Sequence, residues 1–136
     1  MKNQVLLLLL ATLIIGGCTS SGAFLAANQT IVSLEDGNYS IAASNVMGES
    51  ESAYILGLSY STGLSASTLA IARVEGTGML YAEALENLWT NFEMMGEEIE
   101  GQKLALTNVR YDSDILNLVL YTKVKVTVRA DIVRFD

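Results

Sequence analysis

The sequence predicts an α+β domain, an antiparallel sheet of about five strands with one main helix packed on one face. Three observations predict it. Apolar and polar residues alternate near the C-terminus, apolar residues recur at helical spacing in the middle, and strand-like segments separated by turn residues fill the first half. The order is two or three strands, one long helix, then two or three strands, which is typical of α+β proteins.

In the first half, the residue pattern predicts strands over residues 30–34, 39–47 and 52–59. Residues 35–38 contain Gly37, which tolerates positive φ, so they predict a turn between the first two strands. Gly48, Glu49 and Ser50 interrupt the apolar pattern and predict a break between the second and third strands.

The middle of the chain has the periodicity of an amphipathic helix. Apolar residues recur at three- and four-residue spacing, among them Leu80, Ala84, Leu88 and Phe92. Gly96 is placed to cap the C-terminus of this helix. Residues 69–74 predict a first helical turn, which Gly76-Thr77-Gly78 separates from the main helix; without a Gly-Lys-Ser/Thr ending, these glycines do not form a phosphate loop.

The last strand gives the clearest pattern. Its even positions are Val124, Val126, Val128, Ala130 and Ile132, and its odd positions between 125 and 131 are polar or charged. Such alternation predicts a strand with one buried face. Residues 103–111 and 115–121 predict two more strands, and Asp112-Ser113-Asp114 between them predicts the turn of an antiparallel hairpin.

The N-terminus has the pattern of a signal peptide. Residues 5–17 form an apolar run that follows Lys2 and is shorter than the about 20 residues of a membrane-spanning helix. The sequence Ile15-Gly16-Gly17-Cys18-Thr19 resembles the lipobox of bacterial lipoproteins, in which cleavage leaves an N-terminal acylated cysteine. The resemblance implies lipid attachment at Cys18, with palmitate among the acyl chains; the alternative is a secretory signal with an incidental cysteine.

These patterns predict three regions: a lipoprotein signal peptide over residues 1–17, the lipidated cysteine with a short tether over 18–29, and a single α+β domain over 30–136.

The chain has eight basic and 15 acidic residues, a net charge of −7. Nucleic acid is therefore not an expected partner, because phosphate contacts need Lys and Arg. Thr19 follows the cysteine where an aspartate retains enteric lipoproteins at the inner membrane, so we expect a cell-envelope location at the outer membrane, facing the periplasm.

Several stretches carry a resemblance over nearly the whole remaining chain. They are Asn38-Tyr39, Tyr54-Ile55-Leu56-Gly57, residues 70–73, Thr107-Asn108-Val109 and residues 126–135. With these motifs the chain resembles small lipoproteins of gram-negative bacteria that consist of a domain of unknown function. The resemblance implies a gram-negative envelope, and it implies no activity and no site residues beyond the lipid attachment.

The sequence contains no recognisable catalytic, cofactor or metal motif. Histidine is absent, which excludes Ser-His-Asp and Cys-His catalysis and every metal site that needs His. A serine–lysine catalytic pair with Lys103, Lys123 or Lys125 as the base is not expected, because the sequence has no Ser-x-x-Lys motif. One side of the helix would carry Glu93, Glu97 and Glu100 only if the helix continued past Gly96. We interpret these residues as a solvated helix face. We therefore expect no enzyme, no cofactor and no metal.

The leading functional hypothesis is a lipid-anchored, non-catalytic protein–protein interaction module of the envelope. A partner protein would add a strand to a sheet edge, at residues 103–111 or 30–34, or touch the apolar stretch from Tyr54 to Tyr60. The alternative is a periplasmic small-ligand or glycan-binding module that uses tyrosines between helix and sheet. A third hypothesis, an enzyme that uses carboxylates alone, would need two acidic side chains in one cleft. The sequence does not determine the oligomeric state.

Overall fold

The computed structural model describes residues 4, 18–21, 25–26, 34, 37–62, 65–118 and 120–136. The predicted signal peptide and the predicted strand over residues 30–34 therefore lie outside the described residues, apart from positions 4 and 34.

The described chain is α+β, as predicted, with one main helix. Its elements are β1 (Cys18–Ser21), β2 (Leu25–Ala26), β3 (Tyr39–Thr62), β4 (Ser65–Glu75), α1 (Leu80–Met94), β5 (Leu104–Asn117) and β6 (Tyr121–Phe135). Four strands are long, fewer than the about five expected. The two short segments β1 and β2, which lie inside residues 18–29, also pair with the sheet.

The sheet has the strand order β1-β5-β6-β3-β4, and β2 pairs with β5 next to β1. The pairs that β1 and β2 form with β5 are antiparallel, as is the pair of β3 with β4. Two residues separate β3 from β4 and three separate β5 from β6, whereas α1 lies in the connection from β4 to β5. The sheet therefore brings together strands that are far apart in sequence.

The predicted break at residues 48–50 is wrong, because β3 runs without interruption from Tyr39 to Thr62. Gly48 serves helix packing instead of a turn. A Cβ atom at Gly48 would come within 2.8 Å of the Leu88 Cα atom and closer still to backbone atoms of α1. The missing side chain lets the strand and the helix backbone approach each other.

The predicted helical turn over residues 69–74 is also wrong, since these residues belong to β4. Leu69 and Ala70 suit a helix as well as a strand, and the pairing with β3 decides the outcome. Between β4 and α1, Gly76 and Gly78 have positive φ, and the Gly78 amide donates to the Ser52 hydroxyl at 3.2 Å.

The predicted turn at Asp112-Ser113-Asp114 is wrong too. β5 continues through these residues, and both aspartates are exposed while Ile115 is buried. The hairpin closes further on, where the backbone groups of Leu118 and Tyr121 exchange two hydrogen bonds, of 2.7 and 3.1 Å. Residues that often form turns thus occupy solvent-facing positions within a strand and do not mark its end.

The alternating pattern of β6 is confirmed. Val124, Val126, Val128, Ala130 and Ile132 are all buried, and Arg129 is exposed. The odd position Thr127 is an exception, because it is buried and its hydroxyl bonds Glu49 at 3.3 Å.

The predicted main helix and its C-terminal cap are confirmed. α1 ends at Met94, and the amide of Gly96, which has a φ of +90°, donates to the Glu93 carbonyl at 2.9 Å. Its buried residues recur every fourth position: Leu80, Ala84, Leu88 and Phe92. Asn87 and Asn91 donate to the β3 carbonyls of Glu49 and Met47, each at 2.7 Å. The helix is therefore fixed to β3 by apolar packing and by side-chain amides.

Contacts divide the chain into two compact units. The first unit contains β1 with Glu51–Gly78 and Ser113–Lys125; the second contains the described residues of Phe24–Ser50 with Met79–Asp112 and Val126–Asp136. The helix and most of the buried apolar side chains belong to the second unit.

Candidate functional site

The β3–β4 hairpin of the first unit presents a continuous apolar face. The antiparallel register places Leu58 opposite Leu69 and Tyr60 opposite Ser67. Because side chains of a strand alternate between its two faces, Leu58, Tyr60, Leu69 and Ile71 share one face. We call these four side chains the hairpin face.

All four side chains of the hairpin face are exposed. The exposed fractions are 61% for Leu58, 54% for Tyr60, 80% for Leu69 and 79% for Ile71. Single exposed apolar residues are ordinary in soluble proteins, whereas a contiguous group marks a surface that binds a partner or a lipid.

Charged residues lie only at the base of the hairpin. Residues 55–72 contain no charged residue, whereas Glu51, Arg73 and Glu75 lie just outside them. Lys123 of β6 forms an ion pair with Glu51, with 2.8 Å between Nζ and Oε2. The hydrogen bond to this carboxylate raises the pKa of Lys123. The hairpin therefore has a charged base and an uncharged body.

A polar network holds the opposite face of the hairpin. The Asn117 side chain accepts from the Ser59 amide at 3.0 Å and donates to the Ser59 carbonyl at 2.8 Å. The Thr122 hydroxyl donates to the Gly57 carbonyl at 2.6 Å, and Ser59 and Thr68 share a hydroxyl–hydroxyl bond of 2.6 Å. Ser59 and Thr122 are buried, so these bonds fix the hairpin where it extends past the β5–β6 turn.

Strand β4 stands at the end of the strand order. Among the described strands it pairs only with β3, so its other side faces no described strand. Such a side offers backbone N–H and C=O groups to an added strand. The predicted edge at residues 103–111 is paired in part: β2 pairs with Arg110 and Tyr111 and β1 pairs with residues 114–117, whereas among the described strands only β6 pairs with β5 before residue 110.

Cys18, the predicted lipid-attachment residue, lies at the start of β1. Its Cα partner in the sheet is Asn117, the last residue of β5. Asn117 is the residue whose side chain bonds both backbone groups of Ser59. The backbone of Cys18 therefore lies at the same end of the first unit as the β3–β4 hairpin.

A model of a protein family of unknown function, DUF6567, matches residues 1–136. The chain belongs to this family. Comparisons with curated proteins and with solved structures found no match.

Two of the stretches that carried the resemblance meet, in this DUF6567 chain, at Asp131 of the second unit. Its carboxylate accepts from the Asn45 amide and from the Asn108 side chain, each at 2.7 Å. Asn45 and Asn108 have φ values of 54° and 51°, left-handed conformations that Asn tolerates better than most residues. The bond from Asn108, then the bond from the Asn45 amide and the charge of Arg110, lower the pKa of Asp131. This carboxylate is a structural clamp between strands.

The candidate acidic residues do not come together. α1 ends before Gly96, so Glu93, Glu97 and Glu100 do not share a helix side, and Glu97 pairs with Arg134. Within the described residues, no group of three or more acidic or Cys side chains could hold a metal ion. Of the candidate lysines, Lys123 pairs with Glu51, and Lys103 donates to the Asp136 carbonyl.

The candidate tyrosines are divided between the units of this DUF6567 chain. Tyr54, Tyr60 and Tyr121 belong to the first unit, and Tyr39, Tyr81 and Tyr111 belong to the second. The rings of Tyr81 and Tyr111 meet edge to face, with centroids 5.4 Å apart. Partial burial, and then the neighbouring Tyr111, raise the pKa of Tyr81.

The apolar stretch from Tyr54 to Tyr60 is exposed at Leu56, Leu58 and Tyr60. The β4 half of the hairpin face was not predicted. The absence of charge over residues 55–72 is the signal that would have found it. Among the helices in the part of the chain that the structure describes, none is long and apolar enough to cross a membrane.

Proposed function

We propose that this protein is a lipid-anchored protein of the gram-negative envelope that acts without catalysis, by binding another protein. The observation that carries the proposal is β4, an 11-residue strand at the end of the sheet order with an uncharged stretch up to Ala72. Long uncharged strands at a sheet edge favour the addition of a partner strand, and proteins that avoid such pairing usually protect the edge with charge, proline or a bulge.

The lipid anchor is supported by the lipobox pattern, with Cys18 as the single cysteine of the chain. Diacyl or triacyl modification gives stable attachment, since one acyl chain alone gives only marginal membrane binding. We propose the periplasmic side of the outer membrane as the location, because Thr19 and not aspartate follows Cys18.

The anchor is tested by metabolic labelling with an alkyne analogue of palmitate in a gram-negative host. The native protein should be labelled and should stay with the outer-membrane fraction after a carbonate wash. Cys18→Ala should lose both properties, and the neighbouring Ser20→Ala should keep both. A Cys18→Ala protein that still resists the wash would contradict lipid attachment at this residue.

The partner edge is tested by photo-crosslinking in intact cells. A photoreactive amino acid at Ala72, which is exposed on β4, should give one stoichiometric adduct with an envelope protein. The same amino acid at Glu86, exposed on α1, should not give that adduct. Identical adducts from both positions, or none from Ala72, would exclude β4 as the partner edge.

A glycan-binding module is the second candidate, and the Tyr81–Tyr111 ring pair favours it. Tyr81 is 41% exposed, so its ring could stack on a sugar while Tyr111 supports it. Thermal-shift measurements with envelope glycans test this candidate. A shift that Tyr81→Ala abolishes and Tyr39→Ala retains would place the glycan on this pair, and the absence of any shift would exclude it.

A further inference from the structure

We infer that the hairpin face lies against the lipid bilayer that holds the anchor, so that this protein contacts its membrane through protein side chains as well as through acyl chains. The inference rests on the proposed lipid attachment at Cys18. It assigns the side chains of the hairpin face to lipid and leaves the backbone edge of β4 to the protein partner.

The first support is the position of the attachment residue. Cys18 is the Cα partner of Asn117, and the Asn117 side chain reaches Ser59, the residue between Leu58 and Tyr60. By the strand order, the backbone of Cys18 lies three strand spacings, about 14 Å, from β3 and four spacings, about 19 Å, from β4 of the hairpin face. An acyl chain that enters a bilayer from Cys18 brings the hairpin face to the surface of the same bilayer.

The second support is the chemistry of the hairpin. A segment that enters the boundary between headgroups and acyl chains must expose apolar side chains and must not carry charges with it. Residues 55–72 have no charge, and Leu58, Leu69 and Ile71 are exposed. Tyr60 adds the amphipathic ring that is enriched at this boundary.

The third support is the placement of the nearest charges. Glu51, Lys123, Arg73 and Glu75 belong to the base of the hairpin, outside residues 55–72. The Lys123–Glu51 pair and the bond from Arg73 to the Thr77 carbonyl give three of these side chains partners within the protein. These residues can stay in water while the hairpin face contacts lipid.

A second copy of the chain is the competing occupant of the hairpin face. Each copy carries a net charge of −7, which opposes association of two copies at long range. A lipid surface without net charge imposes no such repulsion. Acyl chains on Cys18 would also bring the bilayer close to the hairpin face, whereas nothing in the position of Cys18 would bring a second copy there.

The test uses the acylated protein with one environment-sensitive fluorophore, attached at Leu69→Cys and, for the control, at Glu86→Cys. Each protein is reconstituted in phosphatidylcholine vesicles with and without lipid that carries a nitroxide on its acyl chain. We expect a blue shift and nitroxide quenching for the label at position 69 and neither for the label at position 86. Ile71→Cys provides a second position on the hairpin face.

Mass spectrometry of the purified chain separates this inference from the proposed anchor. An acylated chain whose labels at positions 69 and 71 are not quenched overturns the inference and leaves the anchor intact. Energy transfer between labels of two copies, without quenching by lipid, assigns the face to a second copy and also overturns it.

If the chain is not acylated, the unmodified protein still tests the hairpin face. Excess phosphatidylcholine vesicles with nitroxide lipid should quench the label at position 69 of a chain that also carries Cys18→Ser, which removes the second thiol. Ile71→Asp should lower the partition coefficient by at least roughly tenfold, the effect of losing one buried large apolar side chain. Equal partition of the native and Ile71→Asp chains would overturn the inference.

Discussion

At the scale of single residues, Asp131 of β6 links β3 and β5 within the second unit. Its carboxylate satisfies the Asn45 amide and the Asn108 side chain, both on residues with positive φ. Asp131→Ala should lower the free energy of unfolding by about 1–3 kcal/mol, the usual cost of losing hydrogen bonds to a charged group. Urea denaturation measures the loss. Asp112→Ala, at an exposed position of β5, should change little, and equal losses for both variants would contradict the clamp.

The same carboxylate should make stability depend on pH. Its pKa in the folded protein is lowered below the ordinary value of 3.8, chiefly by the bond from Asn108. The unfolded chain therefore takes up the proton first as pH falls, and the stabilisation is complete above 3.8 and is lost as pH falls through the lower folded value. Asp131→Asn should remove this part of the pH dependence of the urea midpoint. An unchanged pH dependence would show that other carboxylates cause it.

Among the described glycines, Gly48 is the one at which an added Cβ would come closest to another atom. Gly48→Ala would force its Cβ into the backbone of α1, near Leu88. We expect a loss of at least about 1–3 kcal/mol of stability, because overpacking separates strand and helix. Gly101→Ala is the control, since a Cβ there meets nothing within 4 Å and only its φ of +76° opposes the change. A smaller loss at Gly48 than at Gly101 would refute the close approach.

At the scale of elements, β5 offers a direct test of strand continuity. If β5 continues through residues 112–114, their amides that face β6 should exchange with solvent as slowly as those of neighbouring β5 residues. Hydrogen exchange followed by NMR measures this. Leu120, in the turn between β5 and β6, should exchange fast. Fast exchange over residues 112–114 would restore the hairpin that the sequence pattern predicted.

The helix and β6 could be predicted because their side-chain periodicity reflects burial directly. Buried residues of α1 recur every fourth position, and those of β6 mostly alternate. The errors at Gly48 and at Asp112-Ser113-Asp114 share one cause. Local turn chemistry predicts the end of a strand, whereas tertiary contacts decide whether the strand continues. The hairpin face was half predicted, because Tyr60 is near Leu58 in sequence but Leu69 joins them only through strand pairing.

At the scale of the whole molecule, acidic residues outnumber basic residues by 15 to eight, yet residues 55–72 have no charge. The chain thus carries a net negative charge, which anionic lipid repels, and one uncharged segment, residues 55–72, which anionic lipid does not repel. This contrast makes the type of lipid headgroup a test of how the protein meets its membrane. A protein steered by basic residues would prefer anionic lipid, as polybasic segments do.

Anionic lipid should therefore weaken the contact between the hairpin face and the bilayer. In vesicles with phosphatidylglycerol, quenching of the label at position 69 should be lower than in pure phosphatidylcholine, because the net charge of −7 is repelled. Salt at about 1 M shortens the screening length to about 3 Å and should restore the quenching. The label at Glu86→Cys controls for nonspecific quenching. Stronger quenching at position 69 in anionic vesicles would mean that basic residues, and not the uncharged hairpin, direct the contact.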